Sequence, residues 1–223
     1  VQNEPYFGYL RGAYSVDEIK RLDSYAKSRG IELIPAIQTL AHLKGVTRWS
    51  EYASITDTGN ILLMGDERTY ALIENIFATC RKAYSSQRIN IGMDEAFLVG
   101  RGRYADIHGN KNRMTAMLDH LKRVCEIADK YNFKPMMWSD MFFHIAGFDY
   151  RSDKLQEFTN EVIGLVPKIL DLIYWNYYTN DFKVFDAKLK THKSFNNNVV
   201  FAGGAWSWTG ITPHNIYSIL NNG

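Results

Sequence analysis

Apolar positions along the chain fall into two alternating rhythms. Short runs that are apolar at nearly every position recur at 32–37, 89–92, 134–138, 170–175 and 199–202. Runs this short, bounded by glycine or polar clusters, read as buried strands. Between them lie longer stretches with apolar residues at helical spacing, such as Met114, Met117, Leu118, Leu121, Val124, Cys125 and Ala128. The spacing predicts helices over Val16 to Arg29, Arg68 to Tyr84, Lys111 to Tyr131, Asp153 to Gly164, Asp181 to Lys193 and Pro213 to Leu220. Ser15 with Glu18 three residues on reads as a capping box, and Gly30 stops the first helix. Pro35 is awkward in the first strand, because it has no N–H for a ladder.

Strands apolar on both faces and separated by helices predict a parallel sheet covered on its faces. The loops before the strands are short and plain, whereas those after them are rich in Asp, Glu, His, Trp and Tyr. That asymmetry is expected of a (β/α)8 barrel, whose chemistry gathers at the C-terminal strand ends. A doubly wound sheet would instead concentrate polar residues at one switch point. Five strands are too few to close a barrel, so residues 1–223 are expected to be a single, truncated barrel domain with its strand-end residues on one rim. Two segments, Gln38 to Glu67 and Leu98 to Tyr104, read as long functional loops. The glycines of the second do not make a phosphate-binding fingerprint.

Composition narrows the classes. The net charge of +2 gives no general affinity for nucleic acid or an anionic membrane, and no apolar run is long enough to span a bilayer. Cys80 and Cys125 sit among apolar helix neighbours, as buried free thiols would. No leader is visible, which gives a cytoplasmic expectation, although the chain starts without Met and reads as a piece. Five Trp and 14 Tyr supply either core or sugar-stacking platforms.

The strand Ile89–Gly92 runs straight into Asp94 and Glu95. Charges at the mouth of an apolar strand are costly unless paired, but two adjacent carboxylates suit acid/base chemistry. Adjacent strand residues face opposite ways, so both reach one substrate only if they lie past the regular strand, which Gly92 favours. Tryptophans at strand ends, Trp138, Trp175 and Trp206, fit a pocket better than a core.

Five motifs carry a resemblance: Ile-Pro-Ala-Ile-Gln-Thr-Leu-Ala-His at 34–42, Ile-Gly-Met-Asp-Glu at 91–95, Met-Trp-Ser-Asp at 137–140, Tyr-Trp-Asn-Tyr-Tyr at 174–178 and Gly-Gly-Ala-Trp-Ser-Trp-Thr-Gly at 203–210. In this order they resemble glycoside hydrolase family 20, the β-N-acetylhexosaminidases, and look closest to a bacterial subgroup also found in streptococci. The resemblance implies an eight-stranded barrel of which these are roughly strands 3–7, and no cofactor or metal. It implies retaining hydrolysis of terminal β-linked N-acetylhexosamine, a carbohydrate partner, and catalysis by the substrate's own acetamido oxygen. It makes Glu95 the general acid/base and Asp94 the partner of the acetamido N–H. Trp138, Trp175 and Trp206 become pocket walls, with Tyr177, or its rival Tyr178, a donor to the acetamido carbonyl. Asn176 stands where the family often has Asp. His42 is placed near the acid or the sugar, and Asp140 orients a neighbour or touches a hydroxyl. Two rivals stand beside this: a divalent-metal barrel enzyme using His42, Asp94, Glu95, Asp140 and His144, and an inactive sugar-binding barrel fragment.

Overall fold

The computed structural model describes residues 1, 3–206, 208 and 219 of the chain. Apart from Ile219, the helix expected at 213–220 lies outside the described residues. The first helix, α1 (Val16–Ser28), starts as expected: Ser15 accepts the Glu18 N–H and Glu18 accepts the Ser15 N–H. The expected long loop then holds α2 (Lys44–Thr47), a 3-10 turn (Ser50–Ile55) and a small antiparallel hairpin of β1 (Thr56–Thr58) and β2 (Ile61–Leu62). After it the chain runs through α3 (Glu67–Ala83), β3 (Arg88–Asn90), α4 (Arg103–His108), α5 (Arg113–Lys130) and β4 (Lys134–Trp138). It continues through α6 (Asp140–Ala146), α7 (Asn160–Leu165), β5 (Asp171–Trp175), α8 (Phe182–Lys193) and β6 (Val199–Ala202).

Strands β3, β4, β5 and β6 pair in that order, all parallel. The spatial order follows the chain order without reversal, so the sheet has no switch point and forms an arc of a (β/α)8 barrel. Helices α3 and α5 cover it with Leu72, Ile73, Ile76 and Phe77, and with Met117, Leu121, Val124 and Ala128, all buried. Cys80 and Cys125 are buried free thiols within this layer. Among the described residues no helix is long and apolar enough to cross a membrane.

The structure differs from expectation at three places. Residues 32–37 form no strand and make a single parallel bridge, Ala36 to Asn90. Pro35 O accepts the Asn90 N–H and Ile37 N–H donates to Asn90 O, both at 2.9 Å. The next rung would need an N–H from Pro35, which has none. The helix expected over 153–164 is only Asn160–Leu165, begun by Thr159, whose hydroxyl accepts the Val162 N–H. Helix α6 was hidden in the sequence because it starts inside a motif that reads as a loop.

Candidate active site

The site is built where β3 stops. Asn90 is the last strand residue, and its side chain accepts the Gly92 N–H at 2.9 Å. Gly92 has φ +71°, and a Cβ there would lie 2.1 Å from Gln38 Oε1. Only glycine satisfies both demands. Met93 (φ 71°) and Glu95 (φ 52°) are also left-handed, and the Met93 side chain is fully buried, anchoring the turn. This backbone breaks the strand alternation and turns Asp94 and Glu95 toward one side, as the sequence requires for a shared substrate.

Two segments grip the turn. From the first, Gln38 donates through Nε2 to Asp94 Oδ1 at 2.9 Å and accepts the Met93 N–H at 3.2 Å. His42, itself at φ 58°, places Nε2 3.2 Å from Asp94 Oδ2 and 3.5 Å from Glu95 Oε2. Thr39 ties this segment down by donating its hydroxyl to Ile91 O at 2.8 Å. The Thr39 carbonyl in turn lies 3.0 Å from Nε2 of the buried His120. A carbonyl cannot donate, so His120 carries its proton on Nε2. Burial pushes its pKa down to about 4, which keeps it neutral.

From the other side comes Asp140, at the start of α6. Its Oδ2 accepts the Glu95 N–H at 3.0 Å and its Oδ1 accepts the Trp175 indole N–H at 3.3 Å. Asp140 is 5% exposed, and loss of water lifts its pKa from 3.8 to about 6, with the charge of Asp94 adding to the rise. Each of its oxygens thus holds a donor of the site.

A cavity of about 340 Å³ opens over the pair, lined by Asp94, Glu95, Trp138, Trp175, Tyr177, Tyr178 and Trp208. Tyr177 stacks on Trp175 with ring centroids 5.4 Å apart. Burial, with the phenol of Tyr178 and the nearby carboxylates, pushes Tyr177 up to about 12, so it remains an O–H donor. Gly204 makes room for this wall, since a Cβ there would sit 2.6 Å from Tyr177 Cδ1 and 2.8 Å from Trp208 Cη2. Trp206 stacks on Trp208 at 5.4 Å and meets Tyr178 edge-on at 5.4 Å. Tyr177 and Tyr178 both line the cavity. Gln38 and Trp208 were not singled out, although both lie inside the recognised motifs. Tyr150, whose hydroxyl accepts the Trp175 backbone N–H at 3.2 Å, had no sequence signal at all.

The two carboxylates are held differently. Asp94, with its side chain 21% exposed, has one oxygen on Gln38 and the other on His42. Glu95, 43% exposed, has His42 Nε2 at 3.5 Å as its one side-chain partner among the described residues and otherwise faces the cavity. A fixed anion beside a freer one suits charge stabilisation by the first and proton transfer by the second. His42, Asp94 and Glu95 also bring three donor atoms within 4.8 Å of one another, enough for a cation. The other two members of the five-residue metal set do not join them. Asp140 is engaged as described, and His144 packs against the Phe97 ring at 4.7 Å.

A carboxylate pair under tryptophan and tyrosine walls, on the C-terminal rim of a parallel barrel arc, is an arrangement that glycoside hydrolysis can use. The comparisons give the family. Residues 4–162 match the model of glycosyl hydrolase family 20, catalytic domain, and the chain belongs to that family. Human hexosaminidase D is 26% identical over 188 residues, 78% of this chain and 36% of that protein. The bovine hexosaminidase D is 26% identical over 187 residues, 78% of this chain and 51% of that protein. The chain thus spans between about a third and half of the curated relatives it matches. Among solved structures, a β-N-acetylhexosaminidase from Bacteroides fragilis superposes with TM-score 0.67 at 19% identity, over 98% of this chain and 42% of that one. A Flavobacterium johnsoniae chitobiase gives 0.62 at 17% identity, over 92% and 31%. These structures share the fold.

Proposed function

We propose that the whole protein is a retaining exo-β-N-acetylhexosaminidase acting on glycans that end in β-linked GlcNAc or GalNAc. The observation that carries this is the unequal holding of the two carboxylates beneath an aromatic cavity. In the reaction the substrate's acetamido oxygen attacks the anomeric carbon and forms an oxazolinium ion. Glu95 protonates the departing oxygen, then takes the proton from the water that opens the ring. Asp94, fixed by Gln38 and His42, receives the acetamido N–H and stabilises the positive charge as it develops. The protonated hydroxyl of Tyr177 is suited to the acetamido carbonyl, and Trp138, Trp175 and Trp208 shut water from the methyl group. The names of the relatives, hexosaminidase D and β-N-acetylhexosaminidase, support the substrate class. The finer placement in a bacterial subgroup rests on the sequence motifs.

The test is turnover of an aryl β-N-acetylglucosaminide against the matching glucoside by the full-length protein. Turnover of the first with little of the second is expected, with tight inhibition by a thiazoline mimic of the oxazolinium. Equal rates on both would remove the acetamido mechanism. The three clustered donor atoms make a chelator the second arm. Full activity after EDTA is expected, and its loss with recovery on adding a divalent cation would favour the metal enzyme. An absence of turnover with retained GlcNAc binding would favour the sugar-binding module.

A further inference from the structure

Glu95 borders two cavities. The second, of about 320 Å³, shares Glu95 and Trp175 with the first but is otherwise walled by different groups, among them Phe97, His144, Asp149 and Arg151. Its volume is close to that of the cavity over the carboxylates. An acid that protonates a bridging oxygen must stand between the sugar being cleaved and the group that leaves. Glu95 touches both spaces.

The second cavity has the makings of a sugar seat. Phe97, two residues after the acid, is a large aromatic left 47% exposed. It is not loose. Its N–H donates to Glu95 O at 2.8 Å, its carbonyl accepts Arg113 Nη2 at 2.7 Å, and its ring meets His144 edge-on at 4.7 Å. A rigid exposed ring presents an apolar face at low entropic cost. Opposing polar groups are supplied by the turn after α6. Asp149 Oδ1 accepts the Arg151 N–H at 2.9 Å, and the Arg151 guanidinium lies 3.9 Å from the centroid of the Tyr178 ring, a wall of the first cavity. Planar guanidinium and carboxylate groups match the spacing of neighbouring sugar hydroxyls.

We propose that this cavity is the leaving-group subsite and takes a neutral pyranose. The sugar's apolar face lies on Phe97, and its hydroxyls meet Arg151, Asp149 and His144. The proposal rests on the hexosaminidase reading and adds which residues select the aglycone.

The experiment compares the full-length protein with its Phe97→Ala and Phe97→Tyr forms. The substrates are N,N'-diacetylchitobiose, whose leaving group is a pyranose, and methyl β-N-acetylglucosaminide, whose leaving group is too small to reach the ring. Losing one aromatic platform lowers kcat/KM on the disaccharide by about tenfold. The methyl glycoside stays within about twofold, and Phe97→Tyr restores the disaccharide rate. Equal losses on both substrates, or no loss on the disaccharide, overturn the subsite while leaving the hexosaminidase reading intact. A wild-type protein inactive on both substrates overturns that reading and the subsite with it.

Discussion

At the N-terminal end of the parallel sheet, charged side chains pair with one another. Arg88 bonds Glu32, whose other oxygen accepts the Ser86 hydroxyl at 2.6 Å, and Lys134 lies 3.0 Å from Asp171. At the C-terminal end, carboxylates crowd together with one histidine between them, and tryptophans stand open to a cavity. The backbone differs in the same way. His42, Met93, Glu95 and Trp206 at that rim all have positive φ. Elsewhere among the described residues the non-glycine ones so placed are three asparagines, which tolerate it, and Leu10. Each such residue costs on the order of 1–3 kcal/mol and persists only where its surroundings impose it. Cavity size points the wrong way: about 560 Å³ lies at the quiet end, beside Asp23, Glu32 and Arg88, against about 340 Å³ over the carboxylates. Crowded carboxylates and left-handed backbone mark the chemistry here; volume does not.

Breaking the carboxylate pair gives the largest expected effect. Asp94→Asn in the full-length protein lowers kcat/KM by on the order of a hundred- to a thousandfold, whatever the leaving group, because a fixed electrostatic partner is lost. Glu95→Gln is comparably damaging with poor leaving groups and much milder with activated aryl ones. The measurement is kcat/KM across aryl glycosides of graded leaving-group acidity. A flat response for Glu95→Gln would mean that the two carboxylates do not divide the work as their different anchoring implies.

Next comes the backbone beneath them. Gly92→Ala introduces a methyl at φ +71° and 2.1 Å from Gln38 Oε1, so Gln38 must leave Asp94 or the turn must move. A displacement near 1 Å in a catalytic group costs about a hundredfold in rate. Activity should fall by that order while the protein still melts cooperatively. An active Gly92→Ala enzyme would show the turn to be looser than described.

Asp140→Asn is milder. Asn keeps one acceptor and turns an NH2 toward either the Glu95 N–H or the Trp175 indole, so one bond is lost and a donor faces a donor. About tenfold in kcat/KM is expected. Stability carries a second signature. Wild-type Asp140 holds its proton more tightly folded than unfolded, so its contribution makes stability fall as pH rises from 3.8 to about 6 and is level above that. The variant lacks this limb, which thermal melts at about pH 4 and 7 would reveal as a larger wild-type advantage in Tm at the lower pH. Parallel pH profiles for both proteins would place the titration elsewhere.

The smallest effect is expected at the opposite end. Glu32→Gln breaks a pair whose two side chains are each 42% exposed, and such pairs contribute about 1 kcal/mol or less. Activity should be unchanged. A loss of rate there would contradict the division of the sheet into a quiet and a working end.

Much of this molecule is local and therefore legible from sequence. The capping box at Ser15 and Glu18, the apolar stripe of α5 and the apolar runs of β4, β5 and β6 depend on near neighbours and periodicity. So does the inference that Gly92 carries Asp94 and Glu95 past the strand. Pro35 was flagged as a misfit, and the missing rung to Arg88 is the consequence. What sequence left open was decided by groups that meet only when the chain folds. Gln38 lies 56 residues from Asp94, Asp140 lies 45 from Glu95, and His120 lies 81 from Thr39. That Asp140 accepts the Glu95 N–H and the Trp175 indole N–H was likewise decided only by the fold. No periodicity encodes such a meeting, because it depends on which strand ends the barrel arc brings side by side.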